Sequence, residues 1–390
     1  MRIFAVAERR NRLARRHFLS GSEPPSLPRV TGGLIGLHGS DPATPYLSSW
    51  ARCPSFVTAD LEHELYETRS TVKHLAMRRT LWLVNADDLA MIQPAASDRV
   101  ADNEHRRLAA DVRKAGVTTD GDHWLDRART AVLRHLGKHG PLSSADLRAA
   151  IPELAGTYDL APGKRWGGTV PIAPRVLTVL SARGDIVRGP NDGAWTTSRP
   201  RWITTAGWLG EPVTPLAARD AQAEVMRRWL HAFGPATAAD IKWWFGTTLT
   251  AVRATLTDIG AVEVDLHGNP GYALADDLEP EPHVPPWGAL LPGLDATVMG
   301  WSDRDWYLGD HRGQVFDRSG NAGPTAWWNG RVVGGWYQDG SARVQLQLLE
   351  DPGPAARRLL QRRADELTSW LDGVRINPRF PSPLSKAGKA

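Results

Sequence analysis

Apolar residues recur along this chain at helical spacing in short blocks, and three times a set of such blocks is followed by two runs with strand-like alternation. The clearest set predicts helices over Gln222 to Phe233, Ala238 to Phe245 and Leu249 to Ile259, then strands over Val262 to Leu266 and Gly271 to Leu274. Thr237 is placed to cap the second helix, because a threonine hydroxyl can accept an otherwise unpaired amide at a helix start. His267-Gly268-Asn269-Pro270 holds residues suited to turning the hairpin. Three helices followed by a two-stranded wing make a winged helix.

A second set runs from Trp124 to Leu136, restarts after Gly140-Pro141-Leu142-Ser143, places a third helix near Pro174 to Ala182, and closes with strands over Asp185 to Arg188 and Ala194 to Thr197. The junctions 140–143 and 234–237 share one task, stopping a helix and capping the next, so they read as an internal repeat. The N-terminal set is less regular: Glu8 to Leu19, Val30 to Leu37 and Thr44 to Cys53, with strands near Thr71 to Ala76 and Thr80 to Val84. His38-Gly39-Ser40-Asp41-Pro42 interrupts it. Gly39 and Pro42 are poor helix-interior residues, so the backbone should bend there and expose its side chains.

From Leu290 onward short apolar runs carry glycine and aromatic punctuation, as in Thr325 to Trp328, Arg331 to Tyr337 and Arg343 to Leu349, which predicts a small antiparallel barrel or sheet. An amphipathic helix over Ala355 to Leu371 follows. The expected fold class is α+β: winged-helix modules over 1–118, 119–212 and 213–286, a C-terminal β-barrel with its helix over 287–376, and a Pro-, Ser- and Lys-rich tail, 377–390, without fixed structure.

Composition narrows the function classes. At 390 residues the chain exceeds one core, and 42% apolar with 23% charged residues is the balance of a packed globular protein. No run approaches the roughly 18 apolar residues of a membrane helix, and Arg and Glu stand where a signal peptide would be apolar. A cytoplasmic protein is expected, on the nucleoid when bound to DNA. The single Cys53 excludes an intrachain disulfide and a thiolate-rich zinc site, and beside Pro54 and Phe56 it reads as a small core residue. His63 and His74 are too far apart to share a helix face, and His135 with His139 lacks an evident third ligand, so neither metal nor cofactor is expected. Trp229, Trp243 and Trp244, at helical spacing, are expected to fill a core.

The net charge of +4 is modest, but arginines cluster at Arg9, Arg10, Arg12, Arg15 and Arg16, at Arg78 and Arg79, and at Arg357, Arg358, Arg362 and Arg363. Arginine suits phosphate because its planar fork bonds bidentately, although such clusters are also the mark of solvated helix faces. The candidate DNA contacts are Arg12, Arg15, Arg16, Arg52, Arg78, Arg79, Arg188 and His267, the last two lying on the expected wings.

Five ordered segments carry a resemblance: LIGLHGSDPATPYLSSWAR (34–52), MRRTLWLV (77–84), RWLHAFGPATAADIKWWF (228–245), LLPGLDATVMG (290–300) and RVVGGW (331–336). They are similar to the corresponding blocks of AlkZ/YcaQ-type winged-helix DNA glycosylases, over nearly the whole chain. The resemblance implies three winged helices and a barrel arranged as a C around double-stranded DNA. It further implies a monomer that excises N7-alkylpurines, including bulky toxin adducts and crosslinks, in some members as self-resistance to a DNA-alkylating antibiotic. Where that family carries Gln, a spacer, and Gln or Asp, this chain reads His38, Gly39, Ser40.

Alkylation at N7 makes guanine a cationic leaving group, so what the chemistry needs is a polar group that holds a water beneath C1′ and charge that tolerates an oxocarbenium-like sugar. His38 can orient or deprotonate that water, and Ser40 can share it or bind a phosphate oxygen. Asp41 could stabilise the sugar or could instead terminate the turn before a helix. No lysine neighbours the motif to form a Schiff base, which points to a monofunctional enzyme. The alternative reading is a non-catalytic winged-helix DNA-binding protein or lesion sensor.

Overall fold

The computed structural model describes residues 1–21, 24–160, 163 and 167–387, a mixed α/β chain that divides into two compact units. One unit is Met1–Leu61 with Ala223–Ala390; the other is Glu62–Gln222. Among the described residues no helix is long and apolar enough to cross a membrane.

In the unit Glu62–Gln222, the strands Thr71–Ala76 and Thr80–Asn85 form an antiparallel hairpin in which Thr71 faces Asn85. Its turn places Arg78 and Arg79 at φ of 55° and 62°, where side chains crowd the backbone. The helix Asp98–Lys114, which the sequence pattern did not predict, buries Val100, Leu108 and Val112. It lies so close to the helix Gly121–His139 that a Cβ on Gly121 would come 2.2 Å from the Ala109 carbonyl oxygen, which explains the glycine there. Ser143 caps the helix Ser144–Ala150, accepting the Asp146 amide while Asp146 accepts the Ser143 amide. The apolar helix Ala173–Ala182 completes a core with Leu125, Val132, Leu147 and Ile186.

One expectation needs correcting in this unit. The strand expected over Ala194 to Thr197 is a turn, and the return strand is Pro200–Thr204, paired with Ile186–Asn191. The Asn191 side chain dictates this, donating to the carbonyls of Gly193, Ala194 and Thr197 and accepting the Arg199 amide, so the chain curls around one amide group. A further hairpin, Thr157–Leu160 with Gly168–Pro171, escaped the sequence pattern because its strands are four residues each.

In the other unit, the helix Val6–Arg16 is followed by the site segment described below. Residues 223–233 of the helix Ala218–Phe233, the helices Ala238–Phe245 and Leu249–Asp258, and the hairpin Val262–Leu266 with Asn269–Ala273 follow in order. His267 and Gly268, at φ of 55° and 84°, make the two-residue turn, so Asn269 and Pro270 belong to the strand rather than to the turn. Thr237 caps as expected, and its partner Asp240, wholly buried, also accepts the amides of Ser302 and Asp303, tying this helix start to the C-terminal segment. Trp229 and Trp244 are core residues, with Trp229 stacked on Phe233 at 5.3 Å. Trp243 is half-buried instead and carries the Arg304 guanidinium over its ring, because it projects from the opposite side of its helix.

The expected barrel is an open, four-stranded antiparallel sheet in the order Gly288–Leu291, Thr325–Trp328, Arg331–Gln338, Val344–Leu348. Four strands of four to eight residues are too few to curl shut around packed side chains. The helix Pro354–Leu371 packs against this sheet, its Leu359 and Leu360 lying where a Cβ on Gly288 would stand. The tail is not structureless over its described part: Pro383–Ala387 is helical, Ser382 and Leu384 are buried, and a Cβ on Gly335 would strike Leu384. Residues 388–390 lie outside the described residues.

Candidate active site

The helix Leu27–Gly33 begins on Ser26, which accepts the Arg29 amide, and ends earlier than the expected Val30 to Leu37 because Gly32-Gly33 weakens it. Ile35, buried and at φ of 62°, reverses the chain, a costly conformation for a β-branched residue. Leu37–His38 is then extended, and Gly39 to Ala43 form the elbow that leads into the helix Thr44–Trp50.

At this elbow the structure brings His38, Ser40 and Asp41 together. The Ser40 amide donates to His38 Nδ1 at 3.4 Å, so in the neutral imidazole the proton sits on Nε2. Asp41 uses both carboxylate oxygens on backbone: Oδ1 accepts the Ala43 amide at 3.1 Å and Oδ2 the Arg379 amide at 2.8 Å. Burial raises the Asp41 pKa, and the two amides with the Arg379 charge oppose that rise. The bend was expected to expose its side chains, yet His38 is only 3% exposed and Asp41 8%, and only Ser40 is half-buried. The segment carrying Arg379 lies on Asp41 and Ser40, its amide holding the Asp41 carboxylate and its guanidinium donating to the Ser40 carbonyl at 3.3 Å. Nothing in the local sequence marked Arg379, since it lies in a stretch composed like a disordered tail.

Behind the elbow lies a buried polar network. Arg52 is fully buried against a fully buried Asp295, at 2.7 and 2.9 Å, and also donates to the carbonyls of His17 and Ser48 and to Thr297 Oγ1. Ser48 Oγ donates to the same carboxylate at 2.6 Å. These bonds fasten the helix after the elbow to the Asp295 loop, and they hold the Asp295 pKa below the usual carboxylate range although burial acts to raise it. His17 Nδ1 sits 2.9 Å from Thr297 Oγ1, with its ring stacked on Trp301.

Burial pushes the His17 pKa down to about 3, and in the other unit that of His74 to about 4. Both are neutral in the fold and near 6.5 once unfolded, so their contribution is complete above pH 6.5 and is lost as pH falls toward those folded values. Chemical denaturation at pH 5 should show each contributing on the order of 2 kcal/mol less than at pH 7. An unfolding midpoint unchanged between these pH values would contradict neutral burial of the two rings.

The arginines expected at DNA divide into two groups. Arg12, its side chain 1% exposed, is held by Asp277 at 2.9 Å, and Arg16 by Asp277 and Glu281 at 2.6 and 2.8 Å. With Arg52 they are structural cations, because carboxylates from distant sequence already neutralise them. Arg15, bonded to Glu281 at 3.1 Å, keeps a 36% exposed side chain, and Arg79, bonded to Glu104, keeps 56%. Arg78 is half-buried at the hairpin turn, Arg188 lies over the Trp202 ring and donates to Ser198, and His267 accepts the Val6 amide.

A family model described as DNA glycosylase AlkZ-like matches residues 31–370. Among solved structures, the Streptomyces sahachiroi DNA glycosylase AlkZ is similar at a TM-score of 0.74 and 22% identity, covering 97% of this chain and 99% of that one, a likeness of fold. No curated protein matches.

Proposed function

Because this chain belongs to the AlkZ-like DNA glycosylase family, we propose that it is a monofunctional enzyme that hydrolyses the N-glycosidic bond of bulky N7-alkylguanine adducts in double-stranded DNA. The observation that carries this reading is the family match across residues 31–370, a span that contains the polar elbow His38–Asp41. In the reaction the C1′–N9 bond breaks with its electron pair leaving on the cationic base, which departs neutral. A water oxygen bonds to C1′ and releases its proton to solvent. His38 serves by donating from Nε2–H to that water, since Nδ1 already accepts the Ser40 amide. Ser40, the most exposed of the three, meets the sugar-phosphate side, and Asp41 positions the elbow.

Three winged helices over 1–118, 119–212 and 213–286 give the DNA-binding frame in this reading, supported by the helix-helix-helix-hairpin order of residues 218–273. Arg15, Arg78, Arg79, Arg188 and His267 are its DNA contacts, and the protein acts as a monomer. Excision of bulky adducts would suit self-resistance to a DNA-alkylating natural product. The test is a panel of duplexes carrying defined N7-guanine adducts of increasing size, incubated with the protein and then treated with alkali to cut abasic strands. Strand cleavage is expected to persist as adduct size grows. Intact strands across the panel would refute the reading, and cleavage without alkali would refute its monofunctional part.

A further inference from the structure

We infer that the Arg379 guanidinium is a phosphate clamp beside the elbow, taking a backbone phosphate of the damaged strand next to the reacting nucleotide. The inference rests on the glycosylase reading and adds to it a binding residue from outside the span of the family match. After the helix Pro354–Leu371 the chain turns back at Asp372 and Gly373, with φ of 43° and 80°. Before Arg379 it is fastened to the sheet by the Gln338 side chain, which accepts the Ile376 amide at 2.8 Å and donates to the Val374 carbonyl at 2.9 Å. Beyond Arg379 it is fastened again, because Ser382 and Leu384 occupy the places where side chains on Gly323 and Gly335 would stand. Arg379 is therefore carried on a strap secured at both ends, and its own amide on Asp41 sets where its side chain starts.

That side chain is exposed, and Nη1 donates to the Ser40 carbonyl. Among the described residues Nε and Nη2 donate no hydrogen bond and the guanidinium forms no ion pair, unlike Arg12, Arg16 and Arg52, each of which meets a carboxylate. Asp41, the carboxylate that feels the Arg379 charge, gives its two oxygens to amides instead. The bond to Ser40 thus leaves the Nε and Nη2 edge of the fork facing solvent, and that edge matches two oxygens of a phosphate. Charge points the same way. A bare cation beside C1′ would oppose the positive charge that builds on the sugar, whereas a cation covered by a phosphate does not. Duplex DNA brings such a phosphate on either side of every sugar.

The experiment uses the full chain and a duplex carrying one tetrahydrofuran abasic analogue, which keeps the sugar-phosphate and has no base to release. Each of the nearest phosphates is replaced in turn by an uncharged methylphosphonate, and affinities are measured over a salt series for wild type, Arg379→Gln and Arg379→Lys. All three proteins keep the backbone amide that holds Asp41. Wild type is expected to lose roughly tenfold in affinity at one methylphosphonate position. Arg379→Gln should bind the unmodified duplex about tenfold more weakly, with a salt slope shallower by about one, and lose nothing further at that position; Arg379→Lys should keep the slope. An unchanged slope in Arg379→Gln, or equal methylphosphonate losses in wild type and Arg379→Gln at every position, overturns the clamp and leaves the arginine as packing against Ser40. Binding is read here, not base release. A protein that holds this duplex but excises nothing from the lesion panel still shows the clamp, and excision with an unchanged slope removes the clamp alone.

Discussion

Replacing His38 with alanine is expected to lower the single-turnover excision rate about a hundredfold, the scale of losing one preorganised hydrogen-bond donor, while His38→Gln keeps the rate within about tenfold of wild type. The reasoning starts from the tautomer. With the Ser40 amide on Nδ1, the neutral imidazole carries its proton on Nε2, and a glutamine amide carries an N–H of similar reach from the same backbone position. At 3% exposure the ring sits in a region of low dielectric, where a donated hydrogen bond is stronger than in water. Because the alkylated base leaves without a general acid, orientation of the water is what the side chain must supply. Equal rates for wild type, His38→Ala and His38→Gln would remove His38 from the chemistry; loss in both variants would assign it a role that needs an imidazole.

The second large effect concerns stability. Arg52→Ala is expected to cost about 4 kcal/mol, because it leaves Asp295 buried with its main counter-charge gone. Removing both charges together, as Arg52→Met with Asp295→Leu, should cost much less than the sum of the single changes, since no uncompensated charge then remains. Denaturant unfolding of the two single variants and the double variant measures this directly. The same proteins test the reassignment of Arg52. If it touched phosphate, the double variant would show a salt slope for duplex binding shallower by about one; a buried structural arginine leaves the slope unchanged.

These two residues also show what the sequence could reveal. Ser143 and Thr237 were legible as helix caps because a cap is settled within four residues, and Asp146 and Asp240 stand three positions on. The elbow at His38 was legible from glycine and proline chemistry and from a family resemblance. The burial of Asp41 was not, since its carboxylate is held by Arg379, more than 300 residues away. A separation of more than 260 residues hid the fate of Arg12 and Arg16: a helix face of arginines looks the same in sequence whether it meets phosphate or, as here, Asp277 and Glu281. Asn191 moved a strand by a local bond network that periodicity does not register. The four short strands after Leu290 showed alternation but not closure, which is decided by strand number and by the helix lying on them.

One unit is assembled from both ends of the sequence, with Glu62–Gln222 lying between its two parts. During vectorial synthesis the intervening segment leaves the ribosome complete, while residues 1–61 wait for more than 160 further residues before their partners begin to emerge. The clasp on Asp41 arrives later still, with Arg379. A nascent or truncated chain thus carries the elbow's residues long before it carries the groups that hold them in place, and competence is gained only once the segment around Arg379 has emerged.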